Sequence, residues 1–166
     1  MLIRKANKED AKNIIDYFNV VVGESNNLLF GKDEFKNMPV ESQEKMIENI
    51  NNSKSDVMLV GIIDNKIISV GFLQSFAKER IKHRANLAIS VSKDYWGQKI
   101  GEKMVTALID FAKKSNIKVV ELQVKSDNTR GIKLYGKLGF EEIGVYKKFF
   151  FINEIYYDAI LMNLYL

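Results

Sequence analysis

Two glycines, Gly97 and Gly101, lie where the apolar periodicity of the chain changes. Upstream, the segment LAISVS alternates apolar and polar residues as a strand does, and downstream Ile100 and Met104 recur at helical spacing. A glycine-bearing turn from a strand into a helix presents free backbone N–H groups at the positive end of the helix dipole. This stretch therefore predicts an anion site, and the identity of the anion decides the function.

Two common phosphate-binding motifs do not fit this turn. The P-loop pattern G-x-x-x-x-G-K-[ST] needs one more residue between the glycines and a Lys-Ser or Lys-Thr pair after them. The dinucleotide pattern G-x-G-x-x-G needs three glycines at a spacing that Gly97 and Gly101 do not have. Both ATP hydrolysis by a P-loop and Rossmann-type binding of NAD are therefore disfavoured.

A second stretch whose residues could take part in chemistry is NTRGIKLYGKLGF, residues 128–140. It follows the first turn after one predicted helix and one predicted strand. Asn128 is suited to cap a short helix, and Gly139 is suited to end it. Leu134 is explained as a core residue. Packing does not explain why Asn128 and Tyr135 occur at this separation behind the first turn.

Together, the two stretches resemble the GNAT-type N-acetyltransferases. Members of that family carry the pyrophosphate signature Q/R-x-x-G-x-G/A between a strand and a long helix, and many read Y-W-G-K-G-I-G where this chain reads YWGQKIG, residues 95–101. They then read N-x-x-A-x-x-L-Y-x-K-x-G-F, which this chain matches with Gly131 in place of alanine. Trp96 occupies the first signature position. Lys99 replaces the middle glycine and is the larger departure, because glycine lets the backbone approach phosphates closely.

The resemblance implies that acetyl-CoA is the co-substrate and that the turn holds its pyrophosphate. The strand before the turn would offer free backbone groups to the pantetheine arm, as an added strand does. Asn128 would bind the cofactor from the other side of the cleft, and Arg130 and Lys133 are candidates for its adenosine-phosphate end. The implied cofactor-binding residues are Ile89, Ser90, Val91, Trp96, Gly97, Gln98, Lys99, Ile100, Gly101, Glu102, Asn128, Arg130, Lys133 and Tyr135, and no metal is expected.

Acetyl transfer to an amine requires a neutral amine, a polarised thioester carbonyl and a stabilised leaving thiolate. The chain has no cysteine, which favours direct attack by the amine in a ternary complex over a thiol-bound intermediate. By resemblance, Tyr135 donates a proton to the leaving sulfur. A backbone N–H near Val91 would polarise the carbonyl.

The sequence leaves the general base and the acceptor open. Family members often carry a glutamate on the strand LAISV, which has none here, so Glu24, Glu79 and His83 are the candidates, and Glu24 is the predicted catalytic residue. The acceptor would be a small-molecule amine, an amino acid or a peptide N-terminus. Acidic residues of the loop from Gly23 to Phe35, namely Glu24, Asp33 and Glu34, would hold a cationic amine.

The elements that position these residues follow from the apolar pattern. A short strand and two helices come first, and the second helix follows Pro39 with Met46, Ile47 and Ile50 on its buried side. A hairpin and a third strand precede the helix at 98–114, after which a strand, a short helix and two final strands complete the chain. This order predicts a mixed α/β (α+β) fold: one GNAT-like N-acetyltransferase domain over residues 1–166, with about four helices and a central, mostly antiparallel twisted sheet splayed at the cofactor cleft.

Composition limits the other possibilities. The 166 residues carry a formal charge of +4, and no apolar run approaches the ~20 residues that a membrane span needs. The N-terminus does not resemble a signal peptide, so a cytoplasmic protein without membrane contact is expected. The lysines are scattered, and nucleic-acid binding is a weaker alternative because the C-terminal aromatics suit a core or dimer contact. A non-catalytic acyl-CoA sensor of the same fold is the other alternative, and the apolar C-terminal strand suggests a homodimer.

Overall fold

A computed structural model describes residues 1–166 as one seven-stranded sheet with helices packed against it. The strand order is β1-β2-β3-β4-β5-β7-β6, and every neighbouring pair is antiparallel except β4 and β5, which are parallel. The predicted mixed α/β fold is thereby confirmed. The strands are β1 (Leu2–Lys5), β2 (Val57–Ile63), β3 (Lys66–Ser75), β4 (Arg84–Val91), β5 (Val119–Lys125), β6 (Glu141–Ile152) and β7 (Ile155–Tyr165), and the helices are α1 (Ala11–Val21), α2 (Val40–Asn52), α3 (Ile100–Lys114) and α4 (Thr129–Lys137).

Turn chemistry in the sequence accounts for several element ends. Asp64 and Asn65 both have positive φ, 49° and 61°, as the tight turn between β2 and β3 requires. Gly139, which follows the C-cap residue Leu138 of α4, has φ +91° and allows the chain to leave the helix. Before α1, Asn7 donates its backbone N–H to Asp10, and Arg4 holds the same carboxylate with two hydrogen bonds of 2.6 and 2.8 Å.

Each face of the sheet has its own hydrophobic core. On one face, α3 and α4 pack against the sheet, and Met104 and Leu108 of α3 share a hydrophobic core with the even-numbered residues of β5. On the other face, α1 and α2 pack over β2 and β3. The prediction that Met46 is buried is wrong, because Ile47 takes the inward position and leaves Met46 44% exposed.

β4 and β5 pair only at the start of β4. Arg84, Ala85 and Asn86 have partners on β5, and the remaining residues of β4 have none on that side. The two strands therefore diverge like a V that opens toward the end of β4. At the closed end, Arg84 holds Glu121 of β5 through two hydrogen bonds of 2.9 and 2.5 Å, which ties the strands together where the divergence begins.

None of the helices combines the length and the apolar character that a membrane crossing demands.

Candidate functional site

The backbone of β4 faces two different partners in alternation. Phe76 N–H donates to Arg84 O, and Ser92 N–H donates to Ile68 O, which places even-numbered residues of β4 in the hydrogen bonds to β3. Odd-numbered residues then turn their N–H and C=O groups toward the V. Ile89 and Val91 therefore offer free backbone N–H groups to the cleft.

Ser90 does not offer its backbone to the cleft, contrary to the prediction. It lies opposite Val70 of β3, and its carbonyl accepts a hydrogen bond of 2.8 Å from the Ser69 hydroxyl. Its side chain points to the α1 face, where the Tyr17 hydroxyl lies 2.9 Å from the Ser90 hydroxyl. The cause is strand register: one residue along a strand reverses both the backbone groups and the side chain.

The turn between β4 and α3 has the backbone conformation of an anion-binding loop. Gly97 and Lys99 both have positive φ, 79° and 60°, and Gly97, Gln98 and Lys99 are exposed. No side chain caps the N-terminus of α3, so the first N–H groups of this 15-residue helix, at Ile100, Gly101 and Glu102, remain available to an anion.

Gly101 lies at a close contact between the two sequence motifs. A Cβ atom there would lie 3.1 Å from Leu134 Cδ2 of α4 and 3.5 Å from Ile89 Cδ1 of β4. Glycine is needed here for packing at the back of the cleft. The adjacent Glu102 does not oppose a phosphate as a free charge, because Lys137 of α4 donates to both of its oxygens at 2.8 and 2.9 Å and lowers the pKa of this carboxyl.

Tyr135 and Asn128 border the cleft from α4. Tyr135 is 8% exposed, and its hydroxyl has no hydrogen-bond partner in the protein. Burial raises the pKa of this hydroxyl above its ordinary value, so it remains an O–H donor across the physiological range. Asn128 Oδ1 accepts the Gly131 N–H at 3.0 Å and caps α4, which leaves Asn128 Nδ2 without a protein partner.

Trp96 connects the turn to both sides of the cleft. Its indole Nε1 donates to Val91 O at 2.8 Å, and the Arg130 guanidinium lies 4.6 Å from its ring centroid. The carbonyl of Val91 is therefore occupied while its N–H stays free. Lys133 is exposed on α4 and makes no ion pair.

These features lie along one cleft, and the sequence model of the acetyltransferase (GNAT) family matches residues 29–140, more than half of the chain. The chain belongs to the GNAT acetyltransferase family. Among solved GNAT structures, an acetyltransferase of Streptococcus pneumoniae superposes with a TM-score of 0.95 at 25% identity and covers 99% of both chains. The yncA protein of Salmonella typhimurium, solved with its cofactor acetyl-CoA, shares the fold with a TM-score of 0.87 at 19% identity, covering 100% of this chain and 94% of its own.

Curated relatives match over a shorter stretch. The ribosomal protein bS18-alanine N-acetyltransferase of Escherichia coli (strain K12) is 33% identical over 76 residues, which is 46% of this chain and 51% of that relative. The N-alpha-acetyltransferase RimI of Mycobacterium tuberculosis is 32% identical over 65 residues, 39% of each chain. The chain thus spans about half or less of the length of these GNAT relatives.

The candidate bases of this GNAT protein differ in what they contact. Glu24 accepts the Lys93 N–H at 2.7 Å through Oε2, which anchors the loop after α1 to the segment after β4. Glu79 pairs with Lys82 at 2.7 Å. Glu34, which is a candidate for holding a cationic amine rather than a base, accepts the Gly31 N–H. His83 is exposed and contributes its backbone carbonyl to the start of β5. Of these side chains, only Glu24 contacts the segment next to the cleft.

Sequence reasoning missed three polar residues on the α1 face beside the V. Glu121 lies at its closed end, Tyr17 contacts Ser90 near the end of β4, and Lys125 ends β5. Tyr17, Glu121 and Lys125 were not singled out, although all three are at least partly buried polar groups on the α1 face of the sheet. The alternation of Val120, Leu122 and Val124 with polar residues already indicated a polar face of β5. Only the strand order shows that this face adjoins the cleft. No group of three His, Asp or Glu side chains is arranged to hold a metal ion.

Replacing Lys99 by asparagine tests the charge at the turn. Asparagine tolerates positive φ, so the turn should persist while one ammonium beside the expected pyrophosphate is lost. We expect the Kd for acetyl-CoA to rise about three- to fivefold, in line with the ~0.5–1 kcal/mol of an exposed ion pair. Titration of the fluorescence of Trp96, the only tryptophan, measures the Kd. Lys113→Asn at the far end of α3 is the control, and an equal loss there would contradict a local effect.

Because two tyrosines are buried, we expect the free energy of unfolding to fall at alkaline pH. Burial raises the pKa of Tyr17 and Tyr135 above the ordinary value near 10. Their contribution is complete below pH ~10 and is lost as pH rises, because the unfolded chain releases these protons first. Each tyrosine should lower the free energy of unfolding by about 1.4 kcal/mol per pH unit above pH ~10. Urea unfolding between pH 8 and 11 should show a slope that Tyr17→Phe roughly halves and that Tyr146→Phe, 51% exposed, leaves unchanged.

Proposed function

We propose that this protein transfers the acetyl group of acetyl-CoA to a primary amine by direct attack in a ternary complex. The observation that carries the proposal is the V between β4 and β5, which is lined by free backbone N–H groups of Ile89 and Val91 and opens beside the uncapped start of α3. Two kinds of anchor for an extended, anionic cofactor thus lie along one path. The acceptor is a small-molecule amine, an amino acid or a peptide N-terminus.

The residues present fit acetyl-CoA. N–H groups at Gly101 and Glu102 would hold its pyrophosphate at the positive end of α3, and the N–H of Val91 would pair with its pantetheine arm. Asn128 Nδ2, which has no partner in the protein, would donate from the opposite wall. When bound, acetyl-CoA supplies the activated acetyl group.

Tyr135 is the proposed acid. Its hydroxyl has no hydrogen-bond partner in the protein, and its raised pKa would keep the proton on Oη until the departing sulfur takes it. The N–H of Ile89, the free donor next to Val91 on β4 and farther from the pyrophosphate turn, is the proposed donor to the acetyl carbonyl oxygen. Glu24 is the proposed base, through its second oxygen, Oε1, since Oε2 is held by Lys93.

The relatives narrow the search for the acceptor. The Escherichia coli relative is named for acetylation of an alanine of a ribosomal protein, and the Mycobacterium tuberculosis relative is named as an N-alpha-acetyltransferase. Peptide N-termini therefore head the panel of amines. Thiol release from acetyl-CoA should be measured against peptides, amino acids, polyamines and aminoglycosides. Turnover on one class supports the proposal, whereas binding of acetyl-CoA with no turnover on any amine would favour the sensor.

The C-terminal hairpin supports the proposal of a homodimer. Eight of the sixteen large apolar residues that are exposed lie on β6 and β7, although these strands make up a small part of the chain. A second copy would cover the outer edge of β6. Sedimentation equilibrium should give twice the monomer mass, and Phe151→Lys, at a side chain 62% exposed, should shift the protein toward the monomer. A monomer at all concentrations for the unmutated chain contradicts the dimer.

A further inference from the structure

A cavity of about 520 Å³ lies between α2 and β3, within the range of small-ligand pockets. We call it the α2 groove. Lys45, Met46, Asn49 and Ile50 of α2 form its wall, and Phe72 and Gln74 of β3 form its floor. Lys45, Met46 and Asn49 are exposed, so the groove is open to solvent along one side.

The floor of the α2 groove leads to the closed end of the V. Phe72 lies opposite Ala88 of β4, and Gln74 lies opposite Asn86, and opposed residues in a sheet share a face. Ala88 is exposed although β4 is a central strand, so nothing in the protein covers the sheet at that point. A molecule in the groove therefore reaches β4 across a short, uncovered surface from the side opposite α3.

The chemistry of the groove is that of a peptide site. Met46, Ile50 and Phe72 supply an apolar surface, while the amide side chains of Asn49 and Gln74 can pair with peptide groups. Lys45 has no carboxylate within ion-pair distance, since the ion pairs of the protein involve other residues.

The charges that line the groove are unfavourable for a polycation. Its one carboxylate, Asp56, already accepts the Ser75 N–H and hydroxyl through Oδ1, both at 2.7 Å. A polyamine or an aminoglycoside would meet the unpaired ammonium of Lys45 with only this partly engaged carboxylate to balance it. An acceptor with an apolar part and an acidic part fits the available partners better.

We infer that the α2 groove binds the N-terminal segment of a peptide acceptor and selects its sequence. The α-amine lies over Ala88 at the cleft, an apolar side chain near it packs on Met46 and Phe72, and an acidic side chain further along pairs with Lys45. The open side of the groove lets the rest of the peptide leave into solvent. This inference rests on the proposed function for the reaction and adds to it the class of acceptor and the residues that choose it.

The test uses three peptides that begin with alanine and differ in the next two residues: leucine then glutamate, leucine then lysine, and asparagine then glutamate. We expect the KM of the first to be at least threefold lower than that of either other peptide. Lys45→Glu should raise the KM of the leucine–glutamate peptide at least fivefold and lower that of the leucine–lysine peptide, with kcat within twofold. Met46→Gln should remove the advantage of leucine over asparagine.

Lys66→Glu is the matched control, because it makes the same charge change at an exposed lysine at the far end of β3. It should leave all three KM values unchanged, and Trp96 fluorescence should give an unchanged Kd for acetyl-CoA in every variant. Equal KM values for the three peptides, or an equal response to Lys45→Glu and Lys66→Glu, would overturn the inference.

A binding measurement separates this inference from the proposed reaction. Calorimetric titration of the leucine–glutamate peptide into the protein saturated with CoA should show binding that Lys45→Glu weakens at least fivefold. That result without turnover would overturn the proposed reaction and retain the groove. Turnover on amines with no calorimetric or kinetic dependence on Lys45 and Met46 would retain the reaction and overturn the groove.

Discussion

Replacing Tyr135 by phenylalanine is expected to lower kcat about 10²- to 10³-fold while the Kd for acetyl-CoA changes less than twofold. The substitution removes one hydroxyl that has no hydrogen-bond partner in the protein, so no internal bond is lost. The ring stays in place, packed edge to face on Phe140 with centroids 5.6 Å apart. Removing a general acid typically lowers the rate of the catalysed step about 10²- to 10⁴-fold, and the expected fall in kcat lies in that range.

Steady-state kinetics and Trp96 fluorescence titration check this prediction together. Tyr156→Phe, at a side chain 57% exposed on the C-terminal hairpin, is the control and should retain kcat. Because burial raises the pKa of Tyr135, the unmutated protein should keep its activity up to pH ~10, rising as the acceptor amine loses its proton. A kcat within threefold in Tyr135→Phe would mean that the departing sulfur needs no acid from this residue.

Replacing Gly101 by valine is expected to weaken acetyl-CoA binding at least tenfold and to lower the free energy of unfolding by about 1–3 kcal/mol. The new Cβ would lie 3.1 Å from Leu134 Cδ2, and the branched methyl groups would press further into α4 and β4. Because these elements form the walls of the cleft, the overlap should displace the first N–H groups of α3 from the positions that hold a phosphate.

A compensating change distinguishes packing from chemistry. Leu134→Val shortens the side chain that the new valine meets, so the double variant should recover most of the lost affinity. Gly136→Val is the control, since a Cβ at Gly136 meets nothing within 4 Å. It should leave the Kd for acetyl-CoA unchanged. No recovery in the double variant would contradict overlap with Leu134 as the cause of the lost affinity.

Much of the fold, and the two motifs from which the candidate site is built, could be read from the sequence because their signals are local. Apolar periodicity identified the strands and helices, and turn residues such as Gly139 marked their ends. The two GNAT motifs were visible as short stretches, and Asn128 as a helix cap follows from its residue type. The mixed α/β fold follows from the order of the elements and the family from the resemblance of the two motifs, and neither needs knowledge of contacts.

The remaining features depend on pairs of residues that are far apart in the chain. Glu102 forms an ion pair with Lys137, 35 residues later, and Glu24 accepts a hydrogen bond from the backbone N–H of Lys93, 69 residues later. The uncovered Ala88 and the outward Met46, which open the α2 groove, depend on how α2 sits on β3. No periodicity within one segment carries such information.

The sequence by itself determined that a glycine-bearing turn from a strand into a helix and, further along, a tyrosine-bearing helix carry the two GNAT-like motifs in the expected order. Only the tertiary structure decided that Ile89 and Val91, and not Ser90, face the cleft. The physical reason is strand register: it is set by the packing of whole elements, and a shift of one residue would exchange every group on β4 that faces the cleft for one that faces β3.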